Sequence, residues 1–206
     1  MIWGEKVIKN IVFDLGNVLL DFDPESYLAD FSYDEEKKME LKKAVFASPE
    51  WLQLDRGSLD FKEAKEKMIK RRPQLALEIE NILAGWEEML KLKEESLFIL
   101  EDLAKKDYKL YVLSNFHQKA FDYVSKKYDF FKHFERLLIS SQVGMIKPEK
   151  EIYNYLLTEF QLNPEETLFI DDTLANIEAA RREGIKVIHF QTAERLKEEL
   201  NFYLEK

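Results

Sequence analysis

Six positions in this chain could between them hold and transfer a phosphoryl group. Asp14 ends an apolar, β-branched run (NIVFD), and Leu15-Gly16-Asn17 turns the backbone directly after it. Ser114-Asn115 end a second run (KLYVLSN), Lys147 precedes Pro148 in SSQVGMIKPEK, and Asp171-Asp172 end a third run (TLFIDD). An unpaired carboxylate is costly to bury, so one at a strand's C-terminal end should face a crevice, where open α/β sheets bind ligands. Adjacent aspartates raise each other's pKa unless a cation is present. Asp14 with Asp171 and Asp172 thus reads as a set of hard oxygen ligands suited to Mg²⁺, with waters and a substrate oxygen completing the shell. Lys147, placed by the sequence at the start of a helix whose amides suit an anion, would hold phosphoryl oxygens together with the Ser114 hydroxyl. Asp14 is then free to attack phosphorus and form an aspartyl-phosphate. Phosphoryl transfer needs mainly positioning and charge neutralisation, which this set supplies. Singly, each fragment has a plainer reading as a turn cap, a helix cap or a solvated lysine. Together, at successive strand ends, they favour the site.

The elements that must position these residues are legible in the apolar periodicity. Val7–Asp14 reads as a buried strand stopped by Gly16, and Pro24 marks a break because it disfavours helix at Asp23. From about Glu25 to Lys91 the pattern is helical. Leu41 and Val45 mark one stripe, and Phe61, Ala64 and Met68 another, begun by Ser58 or Asp60. Leu75, Ile79, Ile82, Leu83, Trp86 and Leu90 form a third after Pro73. The aromatic and Met residues there read as the core of a small helical bundle. From Glu94 helices and strands alternate. Strands are expected at Lys109–Leu113, Arg136–Ser140, Thr167–Asp171 and Ile185–Phe190. Helices are expected at Gln118–Lys127, Glu149–Phe160, Leu174–Arg182 with Gly184 as C-cap, and Thr192–Tyr203. Such alternation implies an α/β fold: a doubly wound, mostly parallel, Rossmann-like sheet with an inserted small helical cap domain. The core would comprise residues 1–21 and 92–206, and the cap residues 22–91, sitting over the strand ends.

Through DLGNV, LSN, KP and DDTLAN, in that order, the chain resembles the haloacid dehalogenase-like (HAD) hydrolases over nearly all of its core. The helical insertion after the first motif is similar to the four-helix cap of one subclass. The first motif is shared with small bacterial sugar-phosphate phosphatases, including α-glucose-1-phosphate phosphatases. The resemblance implies that Asp14 is the nucleophile, that Gly16 offers a backbone carbonyl to Mg²⁺, and that Ser114, followed by Asn115, binds the phosphoryl group. It further implies that Lys147 orients nucleophile and phosphate. Asp172 becomes a direct metal ligand, and Asp171 bonds metal waters or the ion itself. Asn176 occupies a position often held by another acid. The position of Gly16 normally also brings a carboxylate general acid/base, which this chain lacks. That gap implies slower turnover or a better leaving group, such as an anomeric or acyl phosphate, or a substitute donor among Asp21, Asp23, His117 and Arg56. Two other readings remain open. One is a 2-haloacid dehalogenase, which needs neither metal nor second acid but usually carries uncharged residues where this chain has Asp171-Asp172. The other is a weakly active binding or regulatory protein.

Composition narrows the partners. The 206 residues carry a net charge of −9, which argues against a nucleic-acid or anionic-membrane surface. The absence of Cys excludes disulfides, thiol catalysis and Cys-ligated zinc. MIWGEKVIKN lacks the apolar core of a signal peptide, so a cytoplasmic protein is expected. The expected partner is a small phosphorylated metabolite, with the protein a monomer or homodimer.

Overall fold

The computed structural model describes residues 7–204. Its centre is a five-stranded sheet in the order β3-β2-β1-β4-β5, with every pairing parallel. The strands are β1 (Asn10–Phe13), β2 (Lys109–Ser114), β3 (Arg136–Ile139), β4 (Thr167–Asp171) and β5 (Lys186–His189). β1 is the switch point, flanked by β2 and β4. Phe13 pairs with both Val112 and Ile170, which brings Asp14 level with Leu113 and Asp171. Parallel strands covered on both faces should be apolar throughout. Here Ile11, Phe13, Leu110, Val112, Leu168 and Ile170 enter one core cluster, while Val12, Tyr111, Leu113 and Phe169 enter another.

Between β1 and β2 run five helices: α1 (Pro24–Ala29), α2 (Glu35–Ala44), α3 (Pro49–Arg56), α4 (Phe61–Arg71) and α5 (Ala76–Leu83). A sixth, α6 (Glu94–Leu103), leads back to the sheet. N-caps delimit the first four: Asp23, Asp34, Ser48 and Asp60 each accept backbone N–H bonds from the first turn. Their apolar faces, including Leu28, Leu41, Trp51, Met68 and Ile79, join the same cluster as one face of the sheet. The remaining helices are α7 (Gln118–Lys127), α8 (Ser140–Val143), α9 (Lys150–Glu159), α10 (Leu174–Arg182) and α11 (Ala193–Leu204). Among the described residues, no helix is long and apolar enough to cross a membrane.

Four expectations need correction. β1 begins at Asn10, not Val7, because its partner strands begin opposite it at Lys109 and Thr167. The third helical stripe is broken. Pro73–Leu75 and Trp86–Met89 are 3₁₀ turns flanking α5, the second entered through Gly85. Ser140 starts α8 rather than ending β3. Lys147 does not open a helix. It precedes Pro148, which disfavours helix at Lys147, inside a turn closed by Glu149 N–H to the Ile146 carbonyl, and α9 starts at Lys150.

The end of α3 lies hard against α8. Gly57 follows α3 with φ 73°, and a Cβ there would lie 2.1 Å from the Ser141 carbonyl oxygen. Gly144 has the same φ of 73° but open space around its Cβ position. Gly144→Ala should therefore cost only left-handed strain, about 1–2 kcal/mol. Gly57→Ala should lower the urea midpoint distinctly further. Equal midpoints for the two variants would mean that α3 is not seated on α8.

Candidate active site

Lys147 is the hub of the crevice at the strand ends. Its side chain is 1% exposed, and its ammonium donates to Asp171 Oδ2 at 2.6 Å and to the Leu113 carbonyl at 3.0 Å, and pairs with Asp14 Oδ1 at 2.9 Å. Burial would pull the lysine's pKa down, but the two carboxylates hold it above its ordinary value, so it stays charged. Both functions of the Asn115 amide are spent on the Lys147 backbone: its Oδ1 accepts from Lys147 N at 2.8 Å, and its Nδ2 donates to the Lys147 carbonyl at 2.9 Å. Asn115 thus fixes the lysine's backbone.

Asp14 sits one residue beyond β1. Its Oδ1 accepts the Leu15 N–H at 2.8 Å, and the Ser114 hydroxyl also bonds the carboxylate. Burial pushes the Asp14 carboxyl up to about 7, with Asp171 adding to the rise and Lys147 opposing it. Asp171, fully buried, accepts from Thr173 N at 2.8 Å and from Asn176 Nδ2 at 3.0 Å, besides Lys147. Asp172 is more open. It accepts from Asn17 Nδ2 at 3.1 Å, and Asn17 itself takes φ 55° in the turn after Asp14. Carboxylate oxygens of Asp14, Asp171 and Asp172 all lie within 4.8 Å of one another. Three hard donors so close, served by a single ammonium, fit a divalent cation of the Mg²⁺ type.

Asp14, Gly16, Ser114 and Asn115 line one cavity of about 90 Å³. Aromatic rings form much of the rest of its wall, among them Phe22, Trp51, Trp86 and His117. Trp51 and Trp86, expected as bundle core, are buried and line this cavity too, with ring centroids 4.7 Å apart. His117 caps α7 through Nδ1, which accepts Ala120 N–H at 3.4 Å. Among buried side-chain atoms of the described residues, His117 Nε2 and Trp86 Nε1 in this wall, and Ser96 Oγ elsewhere, lack a hydrogen-bond partner.

The four substitute donors fare differently. Asp21 pairs with Lys93 at 3.2 Å, and Asp23 caps α1, its pKa lowered by the Ser26 hydroxyl. Arg56 forms a two-bond pair with Glu149 at 2.9 and 2.5 Å. His117 lines the cavity, but burial drives its pKa down to about 3, leaving the ring neutral. The sequence reading missed Asp55, Asn17 and the wall-forming role of Trp51 and Trp86. Asp55 lies on α3 four residues after Trp51, hence on the same helix face, and lines the cavity with it. That spacing was the available signal.

A family model for haloacid dehalogenase-like hydrolases matches residues 8–184. D-ribitol-5-phosphate phosphatase of Bacteroides thetaiotaomicron is 26% identical, over 96% of this chain and 99% of its own length. Drimenol cyclase drtB of Aspergillus calidoustus is 26% identical over 94% of this chain, which spans only 36% of that protein. A solved HAD family enzyme from Bacteroides thetaiotaomicron, complexed with magnesium and inorganic phosphate, is similar with a TM-score of 0.73. It is 27% identical, over 89% of this chain and 94% of that one. The parallel sheet, the polar residues at its strand ends and the span of the family match agree: the chain belongs to the haloacid dehalogenase-like hydrolases.

Proposed function

We propose that the protein is a Mg²⁺-dependent phosphatase of small phosphorylated metabolites, with sugar phosphates as the favoured class. The observation that carries this is the buried Lys147 shared between Asp14 and Asp171, with the Asp172 carboxylate beside them. A dehalogenase needs no such acidic cluster, and a binding protein needs no aligned nucleophile. The full-length similarity to a polyol-phosphate phosphatase and to a magnesium- and phosphate-bound enzyme supports the same choice. In the cavity wall the unpartnered donors Trp86 Nε1 and His117 Nε2 suit hydroxyl oxygens of a polar substrate. Residues 22–91 act in this reading as the cap on a core of residues 1–21 and 92–206, in a cytoplasmic enzyme.

In the reaction, Asp14 attacks phosphorus and the alcohol leaves, giving an aspartyl-phosphate that water then hydrolyses. Lys147 favours the ionised form of Asp14 and aims it, and with the Ser114 hydroxyl offsets charge on the phosphoryl oxygens. Asn115 holds Lys147 in place. Asp14, Asp171, Asp172 and the Gly16 carbonyl are the groups assigned to the metal. When bound, Mg²⁺ would supply positive charge to the phosphoryl oxygens.

Asp14→Asn should cut phosphate release from an aryl phosphate by about three orders of magnitude or more. Activity near wild type would remove Asp14 as nucleophile. Mg²⁺ at about a hundredfold over its Kd should stabilise the fold by about 2.7 kcal/mol. Asp172→Asn should lose most of that thermal shift. EDTA-treated protein releasing phosphate at an unchanged rate would refute the metal assignment. No chloride should be released from 2-chloropropionate.

A further inference from the structure

Gly16 leaves a chemical gap, because no side chain there can protonate a leaving alkoxide. The space that such a side chain would fill is open: apart from Gly16 and its chain neighbours, no heavy atom lies within 4 Å of a Cβ built there. Of the four substitutes weighed from sequence, only His117 lines the same cavity as Asp14 and Gly16, and burial keeps its ring neutral, so no imidazolium proton is there to give near neutral pH. One further carboxylate does line it, Asp55 at the end of α3.

Asp55 is held from several sides. Its carboxylate accepts the backbone N–H of His117, and its carbonyl accepts the Ser140 hydroxyl at 2.5 Å. The same Ser140 oxygen accepts the Phe116 N–H at 2.9 Å, so one hydroxyl joins α3 to the loop after β2. The next two residues reinforce the seat. Arg56 pairs with Glu149, and Gly57 packs against the Ser141 backbone. A carboxylate fixed in this way is a tool rather than a drifting surface group. Burial is the main cause that raises the Asp55 carboxyl to about 7, with the Asp14 charge adding to it and the His117 N–H and Lys147 opposing it. A group at that value gives and takes a proton near neutral pH.

Resting on the phosphatase reading above, we infer that Asp55 is the general acid and base of this enzyme, supplied by the helical insertion in place of the side chain absent at position 16. In the first step Asp14 Oδ bonds to phosphorus, the bond from phosphorus to the ester oxygen breaks, and that oxygen takes the proton from Asp55. In the second step a water oxygen bonds to phosphorus and gives one proton to the Asp55 carboxylate. The bond from Asp14 to phosphorus breaks, and phosphate leaves with the water's other proton.

The test compares leaving groups. Asp55→Asn preserves the shape of the side chain and its acceptor for the His117 N–H, so it should fold. Turnover of an alkyl phosphate such as a pentitol phosphate should fall about 10²–10⁴-fold. The burst of p-nitrophenol from p-nitrophenyl phosphate, whose leaving group needs no proton, should fall less than tenfold. Gly16→Asp placed in the Asp55→Asn protein should restore alkyl-phosphate turnover, which a merely structural defect at position 55 would not allow. Asp55→Asn protein that turns over alkyl phosphates at the wild-type rate overturns the assignment. So does an equal loss on both substrates without rescue. Wild-type enzyme that hydrolyses neither ester instead refutes the phosphatase reading itself, and this assignment with it.

Discussion

The structure depends on one buried ammonium. Asp14 and Asp171 end neighbouring strands in a register that leaves them no room to separate, and Asp172 follows directly. Burying such charges costs several kcal/mol per ion unless the geometry is good and every remaining group is bonded. Lys147 meets that condition, since all three of its protons go to oxygen: two carboxylates and the Leu113 carbonyl. Asn115 then holds the lysine by its backbone, so the ammonium cannot retreat to solvent. With all three acids ionised, the cluster still carries two negative charges in excess. A divalent cation matches that remainder, which links the stability of the crevice to its chemistry.

The sheet acts as the ruler for this arrangement. With β1 between two parallel neighbours, the C-terminal ends of β2, β1 and β4 open on one side at one height. Any apolar residue at those ends would serve the core equally well. The polar residues there cost stability and need mutual support, which is why Asn17 reaches Asp172 and Asn176 reaches Asp171. The two asparagines tie the turn after β1 and the first turn of α10 to the acidic cluster.

Much of this was legible in the sequence because the polar residues interrupt apolar runs at a repeated place. The strand expected at Lys109–Leu113 runs one residue further, to Ser114, while Thr167–Asp171 and Leu174–Arg182 fall where local turn chemistry bounds them. The start of β1 was not legible, since partner strands fix where its ladder begins. Nor was the break in the third helical stripe, where apolar spacing continues across Gly85 although the helix does not. Asp55 was hidden for a different reason. A lone acid near a helix end looks solvated, and only the fold of α3 onto the Ser140–Ser141 backbone brings it into the cavity with Asp14.

That dependence on folding has a mechanistic consequence. An acid carried on the turn after β1 would be present however the helical insertion sat. An acid carried on α3 is present only while α3 rests on α8. Trp51, carried on the same helix, packs against Phe22 and Trp86 in the wall of the cavity of about 90 Å³. In the proposed mechanism the position of the acid then depends on one seat, held by the Ser140 hydroxyl and the Arg56–Glu149 pair. An aspartyl-phosphate is open to attack by any water that reaches it. On the proposed mechanism, a base seated on α3 would favour attack by the water that Asp55 can deprotonate.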